Sequence, residues 1–199
     1  AITTAGDVKF GVALDAPPEG YVLANPEAAK QVMADLVAGG SARLEGHAPF
    51  LAHSRLPLSE EGGIVLAVSD EAMSPPGNGL LYHPRTLVLG IGCERGAEGS
   101  EALALALDSL AQAGLSPQSV GLVASIDVKA DEAAVHHVAR HFGCPARFFD
   151  AERLEAETPR LRNPSDIVFA EVGCHGVAEG AALAAAGASG ELVAEKRKS

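Results

Sequence analysis

The stretch Leu87–Gly96, LVLGIGCERG, joins an apolar run of strand-forming residues to a glycine-spaced loop, and a helical pattern starts directly after it. That order leaves a chain few arrangements, because a strand that feeds a helix through a short turn returns by a crossover and pairs in parallel. The order then recurs. Val120–Ile126 is a strand run, followed by the polar loop Ser125–Glu132 (SIDVKADE) and a helix over Asp131–Phe142, and Arg147–Phe149 predicts a short strand. A helix over Ser100–Ala113, with leucine or alanine at helical spacing, lies between the first two strands. Beyond a linker with Pro159, Asn163-Pro164-Ser165 predicts the start of a short helix to about Val172. Val177–Ala186 predicts a helix closed by Gly187, and Leu192–Ala194 a last strand. Strands alternating with helices in this way predict a mostly parallel sheet flanked by helices.

The first half is turn-rich. Val8–Leu14 predicts a short strand, broken by Asp15-Ala16-Pro17-Pro18-Glu19-Gly20. Asn25-Pro26-Glu27 reads as an N-cap with proline at the first helical position, opening a helix through about Val37 that Gly39-Gly40 ends. Short strands are expected at Ala42–Glu45, near Phe50–His53, at Ile64–Ser69 and at Gly79–His83. The change of pattern near His83–Arg85 places a domain boundary there. The fold class is therefore α/β: a small irregular α/β front segment over 1–84, then a compact α/β domain over 85–199.

Aromatic residues make up only 4% of the chain and tryptophan is absent, so the core must be built from Ala, Val, Leu and Ile. A net charge of −11 leaves no neutralising basic face, which argues against nucleic acid as a partner. A small anionic ligand is still admissible, since a pocket is governed by the few groups that line it. Cys93, Cys144 and Cys174 form no CxxC pair and read as reduced thiols, as expected of a cytoplasmic protein. With no apolar run of about 18 residues and no leader pattern, no membrane association is expected. The abrupt opening AITTAGD and the basic ending Lys196-Arg197-Lys198-Ser199 read as a piece of a longer polypeptide.

Three polar loops carry the candidate chemistry. In the first, Gly90-x-Gly92-x-x-x-Gly96 has one residue too many for a dinucleotide fingerprint and lacks the lysine of a phosphate-binding loop. Its Arg95, beside the backbone amides of Gly92 to Gly96, suits an anion at a helix start. Cys93 is either a thiolate favoured by that setting or a small core residue. In the second loop, Lys129 can meet a carboxylate and Asp127 or Glu132 can serve as a base or hydrogen-bond acceptor; an ordinary acidic helix start is the better reading for Asp131 and Glu132 and an equal alternative for Asp127 and Lys129. His136, His137 and His141 lack a third ligand at useful spacing and read as a solvated helix face; no metal site is expected. In the third loop, EVGCHGVAE, His175 can act as an acid–base group or only cap the next helix, flanked by Glu171, Cys174 and Glu179. Lys196 belongs either to a solvated tail or to the basic lip of a carboxylate site.

The same segments, GIGCERG, SIDVKADE, FFDAERLEAE, NPSDIVFAEVGCHGVAEGAAL and LVAEKRKS, in that order, resemble the C-terminal domain shared by the CbiG and CobE proteins of cobalamin biosynthesis. The resemblance covers roughly Thr86–Ser199, and AITTAGDVKFGVALD and ANPEAAKQVMADLVAGG resemble the end of the CbiG N-terminal domain and its central region. It implies a CobE-type fold for the second half. It also implies hydrolysis of cobalt-precorrin-5A, in which a δ-lactone is opened and acetaldehyde released, giving cobalt-precorrin-5B. The ligand would be an anionic tetrapyrrole carrying its own cobalt, with no further cofactor. Its acetate and propionate groups call for Arg95, Lys129 and Lys196, and lactone opening for a base among Asp127, Glu171 and His175. Gly92, Cys93, Gly96 and Glu179 complete the expected binding set. The alternative is a non-catalytic module that holds a corrin precursor for a fused or partner precorrin methyltransferase. Either reading expects the turns bearing Arg95, Lys129 and His175 to converge on a single concave mouth at one edge of the sheet.

Overall fold

Period-2 alternation along three strands of the second half decides which side chains each face receives. The structure, a computed structural model, describes residues 2–194 and 196–197. The chain divides into two units, Ala1–Arg85 and Thr86–Ser199.

The front unit contains helices α1 (Ile2–Phe10), α2 (Ala29–Val37) and α3 (Pro49–Ala52), and strands β1 (Tyr21–Leu23), β2 (Ala42–Glu45), β3 (Ile64–Val68) and β4 (Gly79–Pro84). Its sheet has the order β1-β4-β3-β2; β2, β3 and β4 are parallel, and β1 runs antiparallel to β4. Leu14, Met33, Leu36, Leu51, Leu66, Leu80 and Tyr82 form its buried centre. The Tyr82 hydroxyl donates to the Leu14 carbonyl at 2.8 Å, satisfying a polar group deep in that centre.

The strand expected at Val8–Leu14 is not formed. Residues up to Phe10 lie in α1, where Gly6 lets the helix approach Met33 of α2 and Phe10 reaches the core. Packing overrides the β-branched composition there. The strand expected near Phe50–His53 is the single-turn α3, started by Pro49. Asn25 does not cap with its side chain: its amide donates to the Gly79 carbonyl and accepts the Leu81 N–H, both at 3.0 Å. It thereby serves the β4 backbone just past the end of the three-residue β1.

In the second unit, β5 (Leu87–Gly90), β6 (Val120–Ile126) and β7 (Ala146–Phe149) form a parallel sheet in sequence order. Leu87 and Val123 face one way, toward α4 (Gly99–Gln112) and α5 (Ala133–Phe142), where they meet Leu110, Val135, Val138 and Phe142; Val120 joins the same cluster because the register shifts between Leu87 and Val88, which breaks the alternation at the start of β6. Val88, Ala124, Ile126 and Phe149 face the other way, toward α6 (Ala151–Glu155) and α8 (Val177–Ala186), with Leu154, Cys174 and Ala181. Fully burying a valine or leucine contributes about 1.5–3 kcal/mol, so these two layers hold the sheet from both sides. The short α7 (Asp166–Val172) buries none of its residues. The expected last strand at Leu192–Ala194 is irregular backbone, whereas α6 falls where the sequence suggested only a linker. Among the described residues, no single helix is long and apolar enough to cross a membrane.

Candidate functional site

Parallel strands deliver the β5–α4, β6–α5 and β7–α6 connections to one end of the sheet, outside the strand carboxyl termini, where open α/β sheets bind ligands. Gly90 and Gly92 bring the start of α8 to the same end: a β-carbon on Gly92 would lie 3.2 Å from Val177 Cβ.

The first two loops are tied together by Arg95. Its guanidinium donates to Asp131 Oδ1 at 2.7 Å and to the Val128 carbonyl at 2.6 Å. The hydrogen bond from Arg95 is the main reason the Asp131 carboxyl sits below its ordinary range. Gly96, in the left-handed region at φ +73°, donates its N–H to both oxygens of Glu132 at 3.2 Å. Asp131 and Glu132 are thus loop partners rather than a simple acidic helix start, and Gly96 is already satisfied within the protein. Among the described residues, no acceptor takes the amide N–H of Gly92, Cys93 or Glu94.

Cys93 is half-buried. Burial pushes its thiol up, Lys129 pulls it down and Glu132 raises it, with a net rise. This is a thiol held protonated, not an activated nucleophile. Lys129, at the end of a 3-10 turn over Asp127–Lys129, has no ion-pair partner among the described residues. Asp127 is exposed beside it.

The third loop forms a separate cluster around His175. Glu155, from the end of α6, accepts the His175 backbone N–H at 2.9 Å and its Nδ1 at 2.9 and 3.0 Å. An ionised carboxylate only accepts, so the proton lies on Nδ1. The hydrogen bond from His175 is the chief cause that holds the Glu155 carboxyl below its ordinary value. His175 Nε2 lies 3.5 Å from Oδ1 of Asp166, whose side chain is fully exposed, and Phe169 stacks on the ring at 4.5 Å. Glu171 is exposed on α7; the carboxylates that reach His175 are Glu155 and Asp166.

Glu179 is 4% exposed and turned inward. It accepts the N–H groups of Arg162 and Asn163 at 2.8 and 3.0 Å and the Asn163 side-chain amide at 2.8 Å. Burial pushes its carboxyl up, and those hydrogen bonds with the Lys196 charge outweigh it, leaving the group below its ordinary value. Glu179 is therefore engaged by the 162–163 backbone and by the charge of Lys196, whereas the sequence expects it to be presented to a ligand. Lys198 lies outside the described residues. No group of three His, Cys, Asp or Glu side chains suited to a metal ion occurs among the described residues. In the front unit, a shallow hollow lined by Arg43, Leu44, Leu58, Ser59 and Glu60 contains none of the candidate groups.

The structure thus ties the Arg95 and Lys129 loops by hydrogen bonds and sets the turn after His175 against Gly92. No hydrogen bond among the described residues joins His175 to either cation. Glu155, Asp166 and Phe169 were missed from sequence, since 20 residues separate Glu155 from the histidine it holds.

A three-stranded parallel sheet covered on both faces, with its polar loops gathered beyond the strand ends, defines a compact α/β domain. The chain belongs to the family described as cobalamin synthesis G C-terminus, whose model matches residues 87–199. It is 56% identical over 110 residues to the protein CobE of Sinorhizobium sp, covering 55% of this chain and 71% of that protein. It is 35% identical over 120 residues to the cobalt-precorrin-5A hydrolase of Priestia megaterium, covering 60% of this chain but only 32% of the hydrolase. A solved structure of CobE, from the cobalamin (vitamin B12) biosynthetic pathway, shares 38% identity at a TM-score of 0.47, covering 49% of this chain and 69% of that one. The family ties the chain to cobalamin biosynthesis.

Proposed function

We propose that this chain binds an anionic corrin precursor and opens the δ-lactone of cobalt-precorrin-5A, with His175 as the proton-transfer group. One observation carries the choice among the candidate bases. Glu155 holds His175 through both its backbone N–H and its Nδ1, whereas Asp127 and Glu171 are exposed. A base held in one orientation is what general acid–base catalysis requires.

In this reading Nε2 takes a proton from water as the water oxygen bonds to the lactone carbonyl carbon. The ring C–O bond then breaks, and Nε2–H returns the proton to the departing alkoxide. The product at that stage is a hydroxyl on the methyl-bearing carbon, still bonded to the macrocycle. Loss of the O–H proton then forms the aldehyde C=O as the bond from that carbon to the macrocycle breaks; the macrocycle carbon keeps the electron pair and takes up a proton, so one water is consumed for each acetaldehyde released. The amides of Gly92, Cys93 and Glu94 suit the developing oxyanion, and Lys129 suits a macrocycle carboxylate. Cobalt arrives within the substrate, and no further cofactor is invoked. The likeness to the hydrolase, over 32% of that protein's length, supports the reading.

A second reading has its own support. Identity is higher to CobE, whose name carries no reaction, and Arg95 and Glu179 are both held by internal partners. The chain would then hold a corrin precursor for a fused or partner methyltransferase. Titration with cobalt-precorrin-5A, followed by absorbance and by an enzymatic assay for acetaldehyde, separates the two. Binding with acetaldehyde release supports hydrolysis, and binding without it supports the carrier. Absence of binding overturns both.

A further inference from the structure

The cluster around His175 contains more than a base needs merely to be present. Glu155 contacts the histidine twice, through the backbone N–H and through Nδ1, and both contacts fall between 2.9 and 3.0 Å. The imidazole is half-buried, with its side chain 25% exposed, and Phe169 covers one ring face with an interplanar angle of 25°. The ring therefore has little freedom to flip. The edge bearing Nε2 faces Asp166, whose own side chain is fully exposed.

We infer that Glu155 is a positioning residue: it fixes His175 in the tautomer protonated at Nδ1, leaving Nε2 as the outward, proton-accepting atom. A carboxylate acceptor at Nδ1 excludes the opposite tautomer, in which Nδ1 would present a lone pair to the Glu155 oxygens. Asp166 has the complementary part. When Nε2 takes up a proton, the Asp166 carboxylate 3.5 Å away is placed to offset the new positive charge. The deduction about orientation comes from the geometry of this chain alone; its kinetic consequence rests on the hydrolase reading.

Nitrogen-15 NMR of the whole labelled chain reads the orientation directly, with His175 assigned by loss of its signals in His175→Gln. The expected wild-type spectrum shows Nδ1 as the protonated nitrogen and Nε2 as the bare one. Glu155→Leu should abolish that bias, shifting the ring toward the Nε2-protonated form that unconstrained imidazole prefers. Glu155→Gln, whose amide oxygen still accepts, should keep part of it and guards against misfolding of the leucine variant. A wild-type ring protonated at Nε2, or a tautomer indifferent to both substitutions, overturns the inference. In the acetaldehyde assay, Glu155→Leu should lower kcat by about 10²-fold with little change in KM, as expected when a proton-transfer group is present but misoriented. An unaltered kcat in Glu155→Leu removes the catalytic role of Glu155. Failure of the wild type to release acetaldehyde rejects the hydrolase reading and leaves the tautomer result to decide the positioning claim.

Discussion

Gly90 approaches Ala178 so closely that a β-carbon on it would stand 1.8 Å from the Ala178 carbonyl oxygen. The contact seats the first turn of α8 on the end of β5 and brings the His175 turn to the loop end of the sheet. Gly90→Ala must push α8 away or tilt β5, and overpacking of this kind costs about 1–3 kcal/mol. The expected result is a lower urea midpoint for the second unit. A midpoint equal to wild type would mean that α8 yields freely and that the contact positions nothing.

Glu179 ties the 162–163 backbone to α8, and its carboxyl lies below the ordinary value of 4.5. A carboxyl lowered in the folded state contributes stability above its unfolded value, and that stability is lost as pH falls through the folded value. Glu179→Gln should therefore cost about 1–3 kcal/mol at neutral pH. It should also flatten the fall in stability as pH drops below the ordinary carboxyl value of 4.5 and through the lower folded value. Parallel acid limbs for the two proteins would show that this carboxylate does not govern them.

Lys129 and Arg95 differ in availability although both are cations near one loop end. Lys129→Ala should weaken cobalt-precorrin-5A binding by about tenfold, the effect of losing one charge-assisted hydrogen bond. His137→Ala, whose ring packs beside Gly99, should change it little. Asp131→Ala removes the carboxylate that neutralises Arg95, leaving its bond to the Val128 carbonyl, and should tighten binding. Calorimetric titration that finds Lys129→Ala and His137→Ala equivalent contradicts this placement of the ligand.

Cys93 has a thiol held up mainly by burial, so it should alkylate slowly at neutral pH. Cys93→Ser should retain tetrapyrrole binding and any acetaldehyde release within about twofold, since an unactivated thiol supplies no nucleophile. Rapid labelling by iodoacetamide, with loss of turnover, would reverse that assignment.

Elements whose ends carry their own punctuation were legible in the sequence. Val120–Ile126 and Val177–Ala186 coincide with β6 and α8 because an apolar run is bounded by turn residues or closed by Gly187. The strand expected over Val8–Leu14 overlaps the end of α1 at Val8–Phe10, and no local pattern announces that Phe10 enters a core beside α2. The three loops could be named as ligand-competent because their glycines and charges are contiguous. Which charges already have partners could not. Arg95 meets Asp131 36 residues away, and His175 meets Glu155 across 20 residues, so both pairings depend on the order of strands in the sheet. Asn25 is the converse case: a cap by its sequence, and in the fold a support for β4.

The apolar centre built on Leu14 and Tyr82 is assembled wholly from residues before Arg85, and the layers around β6 wholly from residues after it. A chain organised in this way can be inherited in pieces. The matched family segment begins at residue 87, almost at that seam, so evolution has a natural place to exchange what precedes the second half without rebuilding its interior.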